Sequence, residues 1–394
     1  MTRDLSRVVI IGGGIAGVTS ADALRDAGFD GELTIVGAEL HRAYSRPALS
    51  KAALLDPDDL TSHLLPEPTH GAIEALGVSA ARLDPVARRV GLSDGTELPY
   101  DGLVIASGSH ARRLGERPGN GPDSAELTLR SLGDAAELRR RIAAKPDVIV
   151  IGGGPLGMEI ASGCVAAGCG VTLVTRRLPQ SALLGDHLAG HLVARAAEAG
   201  VRLLRADEIA VIDHGDRALV QLRSAGDDAT TVLEAPLVVT AVGDEPSTDW
   251  LRGSGVATHA GLGLLADRKG RLQPDIVAAG DVAAYPRAGA HRRLPLWTSA
   301  IEQAKTAGRA LVLGDDAPDL DFQPYFWTEQ WGIGIKACGE LPLEGPPEVL
   351  KGTLTEHSAL LRWGDPEAGT ATAVAVGMRM PIPRLRALTR PAVA

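Results

Sequence analysis

Two glycine turns set the terms for this chain. "VVIIGGGIAGVTS" stands at residues 8–20 and "VIVIGGGPLGMEIA" at residues 148–161. Each is a β-branched run, then G-x-G-x-x-G, then a helix-forming segment. In the first, Gly12, Gly14 and Gly17 give the turn, a helix follows to Ala27, Gly28 stops it, and "ELTIVG" is the next strand. The three glycines supply a tight turn, close approach of backbone to a pyrophosphate, and tight packing of helix on strand. The helix N-terminus then turns unpaired N–H groups toward phosphate. The second unit repeats this with "DVIVI", with Gly152, Gly154 and Gly157, with a helix over "MEIASGCVAAG" and with the strand "VTLVT". Pro155 is read as lying inside this second turn, beside Leu156. The expected fold class is α/β, with two Rossmann-like dinucleotide-binding units. One working site beside a silent duplicate is the alternative.

The residue after each second strand addresses the ribose. An acid is expected about 20 residues beyond the turn. Glu39 is near that place in the first unit, although Ala38 follows "IVG" directly. In the second unit Thr175, Arg176 and Arg177 stand where the acid would be. An acid repels a 2′-phosphate and arginines pair with one, so the second site leans to NADPH over NADH. Alternatively these are exposed arginines of a βα loop.

Composition narrows the class. A chain of 394 residues divides into two or three domains, and 45% apolar with 23% charged residues is an ordinary globular profile. A net charge of −9 excludes general affinity for nucleic acid or anionic membranes. No apolar run reaches a membrane span, and a first strand starting by Val8 leaves no room for a signal peptide. Cytoplasmic residence is expected. Cys164 and Cys169 would sit about 140° apart on a helix, so an active-site disulfide is not expected.

Further along, "PLVVTAVGDEPS" (236–247) reads as a buried strand and a turn holding Gly243, which is assigned to the nucleotide site. "DIVAAGDVAAYP" is a short strand ending at Gly280 and Asp281. "LWTSAIEQAKTAGRALVLG" is an amphipathic helix stopped by Gly314, and a Pro/Asp-rich linker follows Asp315. "LKGTLTEHSALLRWG" and "TATAVAVGMRM" read as antiparallel strands of a smaller α+β domain, with a short helix after them.

Over nearly its whole length the chain resembles the FAD-dependent ferredoxin reductases of the rubredoxin, putidaredoxin and aromatic-dioxygenase type. "AYSRPALSKAAL", "LPYDGLVIASGSHARRL", "TLRSLGDA", "VAAGDVAAY", "LWTSAIEQAKTAG" and "YFWTEQW" match in order and spacing. The resemblance implies an FAD domain interrupted by an inserted NAD(P) domain, then a C-terminal α+β interface domain. The expected segments are 1–112 and 238–318 for FAD, 113–237 for NAD(P) and 319–394 for the interface. By position Ala16, Arg46, Lys51, Ala80, Arg130, Asp281 and Trp297 correspond to FAD-contacting residues. Asp281 ends a strand at a sheet's carboxyl edge, where a carboxylate can accept from a ribitol hydroxyl; it is otherwise a helix N-cap. Trp297 packs on the flavin, in the core or at an interface, and Arg46 contacts phosphate or is an exposed turn residue.

Glu159 lies two residues past Gly157, in what reads as the first turn of its helix. The resemblance places Lys51 and Glu159 together beside the flavin N5 edge, as catalytic residues. An ammonium there favours negative charge on the reduced ring, and a carboxylate keeps it charged and aimed. Otherwise Lys51 is a surface helix start and Glu159 a capping acid. Pro155 departs from the family, which usually has an aromatic residue there.

His187 and His191 are four apart on a helix, but "HLAGH" lacks the glutamate and third ligand of a zinc site, and no metal is expected. Arg287, Arg292 and Arg293 precede Trp297 and form either a docking patch for an acidic iron–sulfur protein or a solvated loop. The expected activity is hydride transfer from NAD(P)H to FAD, then single-electron transfer to a [2Fe–2S] ferredoxin feeding an oxygenase such as a P450. The alternative is an NAD(P)H oxidase or a quinone or small-molecule reductase with no protein carrier. No nucleic-acid or membrane partner is expected, and monomer and homodimer both stay open.

Overall fold

Side chains alternate along a strand, so a strand covered on both faces must be apolar at every position. The Arg7–Ile11 strand meets that demand: Val8 and Ile10 join one core cluster and Val9 and Ile11 another. The computed structural model describes residues 5–55, 63–116, 123–226 and 229–391. Two compact units divide the chain: Met1–Ser45 with Thr61–His110 and Asp244–Phe322, and Arg46–Leu60 with Ala111–Gly243 and Gln323–Ala394.

The first unit is built on a six-stranded sheet in the order Arg271–Gln273, Ile276–Ala278, Gly102–Ile105, Arg7–Ile11, Glu32–Gly37, Ile73–Leu76. Its strands run parallel except for the Arg271–Gln273 edge. Helices Ile15–Asp26 and Trp297–Leu313 pack together on one face. Gly28 and Gly314, both at positive φ, end them as the sequence predicts.

The second unit holds a five-stranded parallel sheet in the order Arg202–Arg205, Gly170–Thr175, Asp147–Ile151, Leu237–Thr240, Glu126–Leu127. The Leu237–Thr240 strand belongs to this sheet whole, which carries the unit on to Gly243. Glu126, fully buried, ties the sheet edge together. It accepts from the N–H groups of Leu114 (2.9 Å) and Gly115 (2.8 Å) and from the Thr240 hydroxyl (2.6 Å). The same unit holds an antiparallel sheet in the order Tyr325–Gln330, Ile333–Cys338, Thr372–Val376, Ser358–Trp363, Glu348–Thr353, and the helix Ile382–Ala387. Among the described residues no helix is long and apolar enough to cross a membrane.

The "LRSLGDA" segment is a capping box. Ser131 Oγ accepts from Asp134 N (3.2 Å), and Asp134 Oδ2 accepts from the N–H groups of Ser131 (2.8 Å) and Arg130 (2.9 Å), starting the helix Leu132–Ile142. On that helix the Arg140 guanidinium, then Arg141, hold the Glu137 carboxyl down to about 2 against the opposing effect of burial. A carboxyl depressed in the folded state stabilises above its unfolded value of roughly 4.3 and loses that contribution as pH falls through the folded one. Glu137→Gln is therefore expected to cost about 1 kcal/mol of unfolding free energy at pH 7. The difference from the native chain should fade as pH falls from ~4.5 toward ~2; urea melts across this range would measure it, and a constant difference would contradict the assignment.

Candidate dinucleotide and ion-pair sites

The two glycine turns have the same construction. Gly12 and Gly152 both take φ +123°, which excludes side chains, and a Cβ on either would overlap a carbonyl oxygen, of Ala106 and of Ala241. A Cβ on Gly17 would overlap Gly12 O, and one on Gly157 would overlap Gly152 O. The helix thus crosses its strand at backbone contact. At Gly14 and Gly154, the N-cap positions, a Cβ would meet nothing within 4 Å. No described side chain caps either helix, in contrast to Ser131. Free N–H groups facing open space suit a pyrophosphate.

In the first unit Ala16 is buried, with Gly280 against it: a Cβ on Gly280 would lie 2.9 Å from Ala16 Cβ. Gln303, which the sequence reading missed, fixes this turn by accepting from Gly280 N (2.8 Å). Asp281 follows, its Oδ2 3.5 Å from Ser109 Oγ and its carbonyl accepting from Arg293 Nη1 (3.1 Å). Glu39 lies just past the Glu32–Gly37 strand and accepts from the Tyr44 hydroxyl (2.7 Å). Trp297 begins its helix, and Ala80 begins the Ala80–Asp84 strand opposite Leu92.

In the second unit Pro155 is not inside the turn. It is the first residue of the helix Pro155–Ala166, where a missing N–H costs nothing and a fixed φ favours the start. Leu156 follows, half-buried. Thr175 is buried with its hydroxyl donating to Arg177 O (2.7 Å), and Arg176 and Arg177 are exposed. Gln180, at φ +67°, folds the loop back by donating its N–H to Gly153 O (2.7 Å). Gly243, at φ +107°, accepts from Arg112 N (3.0 Å), and a Cβ there would meet nothing within 4 Å.

The second unit also brings Lys51 to Glu159. The helix Ala52–Leu55 packs on Pro155–Ala166, and Gly163 makes room for it: a Cβ there would overlap Leu54. Glu159 is one turn before Gly163 on the same helix face. Lys51 Nζ lies 2.8 Å from Glu159 Oε2, with side chains 12% and 4% exposed, so water screens the pair little. The ammonium also donates to Pro47 O (3.2 Å) and lies 5.7 Å from the centre of the Trp327 ring. Ser50 Oγ donates to Glu159 Oε2 and Thr328 Oγ1 to Oε1 (2.6 Å). Arg46 Nη1 donates to Arg130 O, so these two positions meet. Because the helix starts at Pro155, Glu159 is its fifth residue and not in the first turn. A capping acid does not describe it; donors from Ser50, Lys51, Thr328 and the Glu329 N–H (3.4 Å) do.

Other expectations are corrected. Cys169 lies beyond the helix that holds Cys164, so helical spacing does not apply to them. Cys164, Cys169 and Cys338 are free and buried. Burial raises all three thiols, Cys164 to about 12 and Cys338 to about 11. Of the three arginines before Trp297, Arg293 pairs both guanidinium nitrogens with Asp244 and Arg287 lies over the Phe322 ring, leaving Arg292 exposed. His191 approaches His357 (3.4 Å); burial first, then that neighbour, lowers its basicity. The described residues hold no cluster of three or more His, Cys, Asp or Glu that could bind a metal.

Known proteins resemble this chain over most of its length. Residues 6–304 match the pyridine nucleotide-disulphide oxidoreductase family. The ferredoxin–NAD(+) reductase component of a 3-phenylpropionate/cinnamic acid dioxygenase from Photorhabdus laumondii is 29% identical, over 96% of this chain and 95% of its own. The ferredoxin–NAD(+) reductase subunit of a benzene 1,2-dioxygenase system from Pseudomonas putida is 32% identical, over 90% and 86%. The crystal structure of a covalent putidaredoxin reductase–putidaredoxin complex aligns at a TM-score of 0.80 and 26% identity, covering 94% of this chain and 89% of that one.

The turns carry a direct test. Gly157→Ala is expected to weaken NAD(H) binding at least ~10-fold, about 1.4 kcal/mol, and to leave retained FAD unchanged. Gly17→Ala is expected to do the reverse. Spectral titration of each variant measures both ligands, and loss of the same ligand in both would contradict separate sites.

Proposed function

The chain belongs to the pyridine nucleotide-disulphide oxidoreductase family, and from that premise we propose that it takes hydride from NAD(P)H onto a bound FAD and hands single electrons to a small [2Fe–2S] ferredoxin that feeds an oxygenase. The observation that carries this reading is the second glycine turn, built like the first and equally open at its helix N-terminus. Two such turns call for two dinucleotides. The buried, free cysteines support a route without a redox disulfide, because a thiol held near 12 supplies little thiolate.

FAD, when bound, supplies the conversion of one two-electron transfer into two one-electron transfers. The residues do the rest. The first unit binds FAD through the N–H groups at Gly14 to Gly17, with Glu39 for the ribose and Asp281 for a ribitol hydroxyl. The second unit binds the nicotinamide nucleotide at Gly152 to Gly157, and its residues 323–394 meet the carrier. Lys51 holds a positive charge for the reduced ring, and Glu159 aims it. The relatives described above are ferredoxin–NAD(+) reductases. Arg176 and Arg177, exposed and standing where the sequence would place the ribose acid, lean the site to NADPH over NADH by pairing with the 2′-phosphate. The reaction is assigned to the cytoplasm.

A second reading, an oxidase or small-molecule reductase without a protein carrier, is favoured by Pro155 in place of an aromatic residue and by the internal engagement of Arg287 and Arg293. One experiment separates the two. The protein is reduced anaerobically with NADH or NADPH, then mixed with candidate ferredoxins, quinones and air. Bleaching of the flavin followed by fast reoxidation by a ferredoxin is the expected result. Fast reoxidation by air or quinone alone supports the second reading. Replacing Arg176 and Arg177 by Ala should raise KM for NADPH and spare NADH; an unchanged NADPH KM removes the 2′-phosphate assignment.

A further inference from the structure

We propose that Thr328 is a positioning residue: it orients Glu159, and Glu159 in turn orients Lys51. The inference rests on the reading above that the Lys51 ammonium serves the flavin.

Thr328 arrives from far along the chain. The Tyr325–Gln330 strand packs on the Pro155–Ala166 helix, and its alternation puts Thr328 and Gln330 on one buried face. Thr328 is fully buried, and its hydroxyl lies 2.6 Å from Glu159 Oε1. Two oxygens at that distance need a proton between them. The other carboxyl oxygen already faces two donors, the Ser50 hydroxyl and the Lys51 ammonium. The anion is what this set of donors fits, so the proton comes from Thr328. A hydroxyl has one proton to give, and Gln330 Nε2, 3.1 Å away, fills its acceptor side. The polarity therefore runs one way, from the Gln330 amide through the Thr328 hydroxyl to the Glu159 carboxylate, with the ammonium at the far oxygen.

A space-filling role would be met by valine, which has the same shape. Valine leaves Oε1 with the Glu329 N–H at 3.4 Å as its contact among the described residues. A buried acceptor that loses its donor bears the desolvation cost unrelieved. The carboxyl group could then turn, and Lys51 would lose its fixed aim.

The test uses the full-length holoenzyme. Anaerobic stopped flow with NADH gives the flavin reduction rate, and redox titration gives the flavin midpoint potential. Lys51→Met should slow reduction at least ~10-fold and move the potential negative. Thr328→Val should slow reduction at least ~3-fold at an unchanged Kd for NADH, and move the potential the same way by less. Thr328→Ser should restore both, and Thr328→Val should add nothing in the Lys51→Met background. Thr328→Ala is read the same way should the valine variant retain no flavin. If Lys51→Met changes neither quantity, the reading of Lys51 fails. If Lys51→Met behaves as stated and Thr328→Val matches the native enzyme, or slows reduction equally in both backgrounds, the role of Thr328 alone is overturned.

Discussion

The fold depends on one steric constraint used twice: a helix crossing its strand with a glycine against a carbonyl oxygen, Gly17 on Gly12 and Gly157 on Gly152. Any side chain at the crossing glycine pushes helix from strand. Held at backbone contact, each helix points its uncapped N–H groups past the carboxyl edge of a parallel sheet, where ligands of open α/β sheets bind. The same φ of +123° at Gly12 and Gly152, and the same collision with the carbonyl of a neighbouring strand's end, make the two turns copies in three dimensions as well as in sequence.

The Lys51–Glu159 pair is a different kind of feature. Burying two charges is costly, and a hydrophobic pair of like volume is often at least as stable. Here the carboxylate has a donor for every stated contact, from Ser50, Lys51, Thr328 and the Glu329 N–H. Removing one partner of such a pair would strand the other and cost about 3–5 kcal/mol. A largely buried cation, 12% exposed and with an aromatic ring at 5.7 Å, makes sense where a charge is needed and its position matters. That is the demand a developing negative charge makes.

What was legible in the sequence was what nearby residues determine. Both strand–turn–helix units, the stops at Gly28 and Gly314 and the late antiparallel strands follow from periodicity and positive-φ glycines. Local reading erred where one residue has two uses. Pro155 breaks a turn or starts a helix, and three residues of helix register then separate a capping acid from a buried one at Glu159. Long-range partners were not legible without the family likeness. Nothing near Glu159 announces Thr328, 169 positions away, and nothing near Arg293 announces Asp244, which turns a proposed docking cation into a structural ion pair. Gln303 was missed because a helix glutamine carries no sign of the turn at Gly280 that it fixes.

The central claim is that the two turns hold two different dinucleotides in one chain. Counting them tests it most directly: release and quantify the FAD retained by the purified protein, then titrate the oxidised holoenzyme with NAD(+) in the presence of excess FAD. The account predicts one FAD per chain and one further nucleotide site that FAD does not contest. Two FAD per chain, no FAD, or NAD(+) displaced by FAD would contradict it.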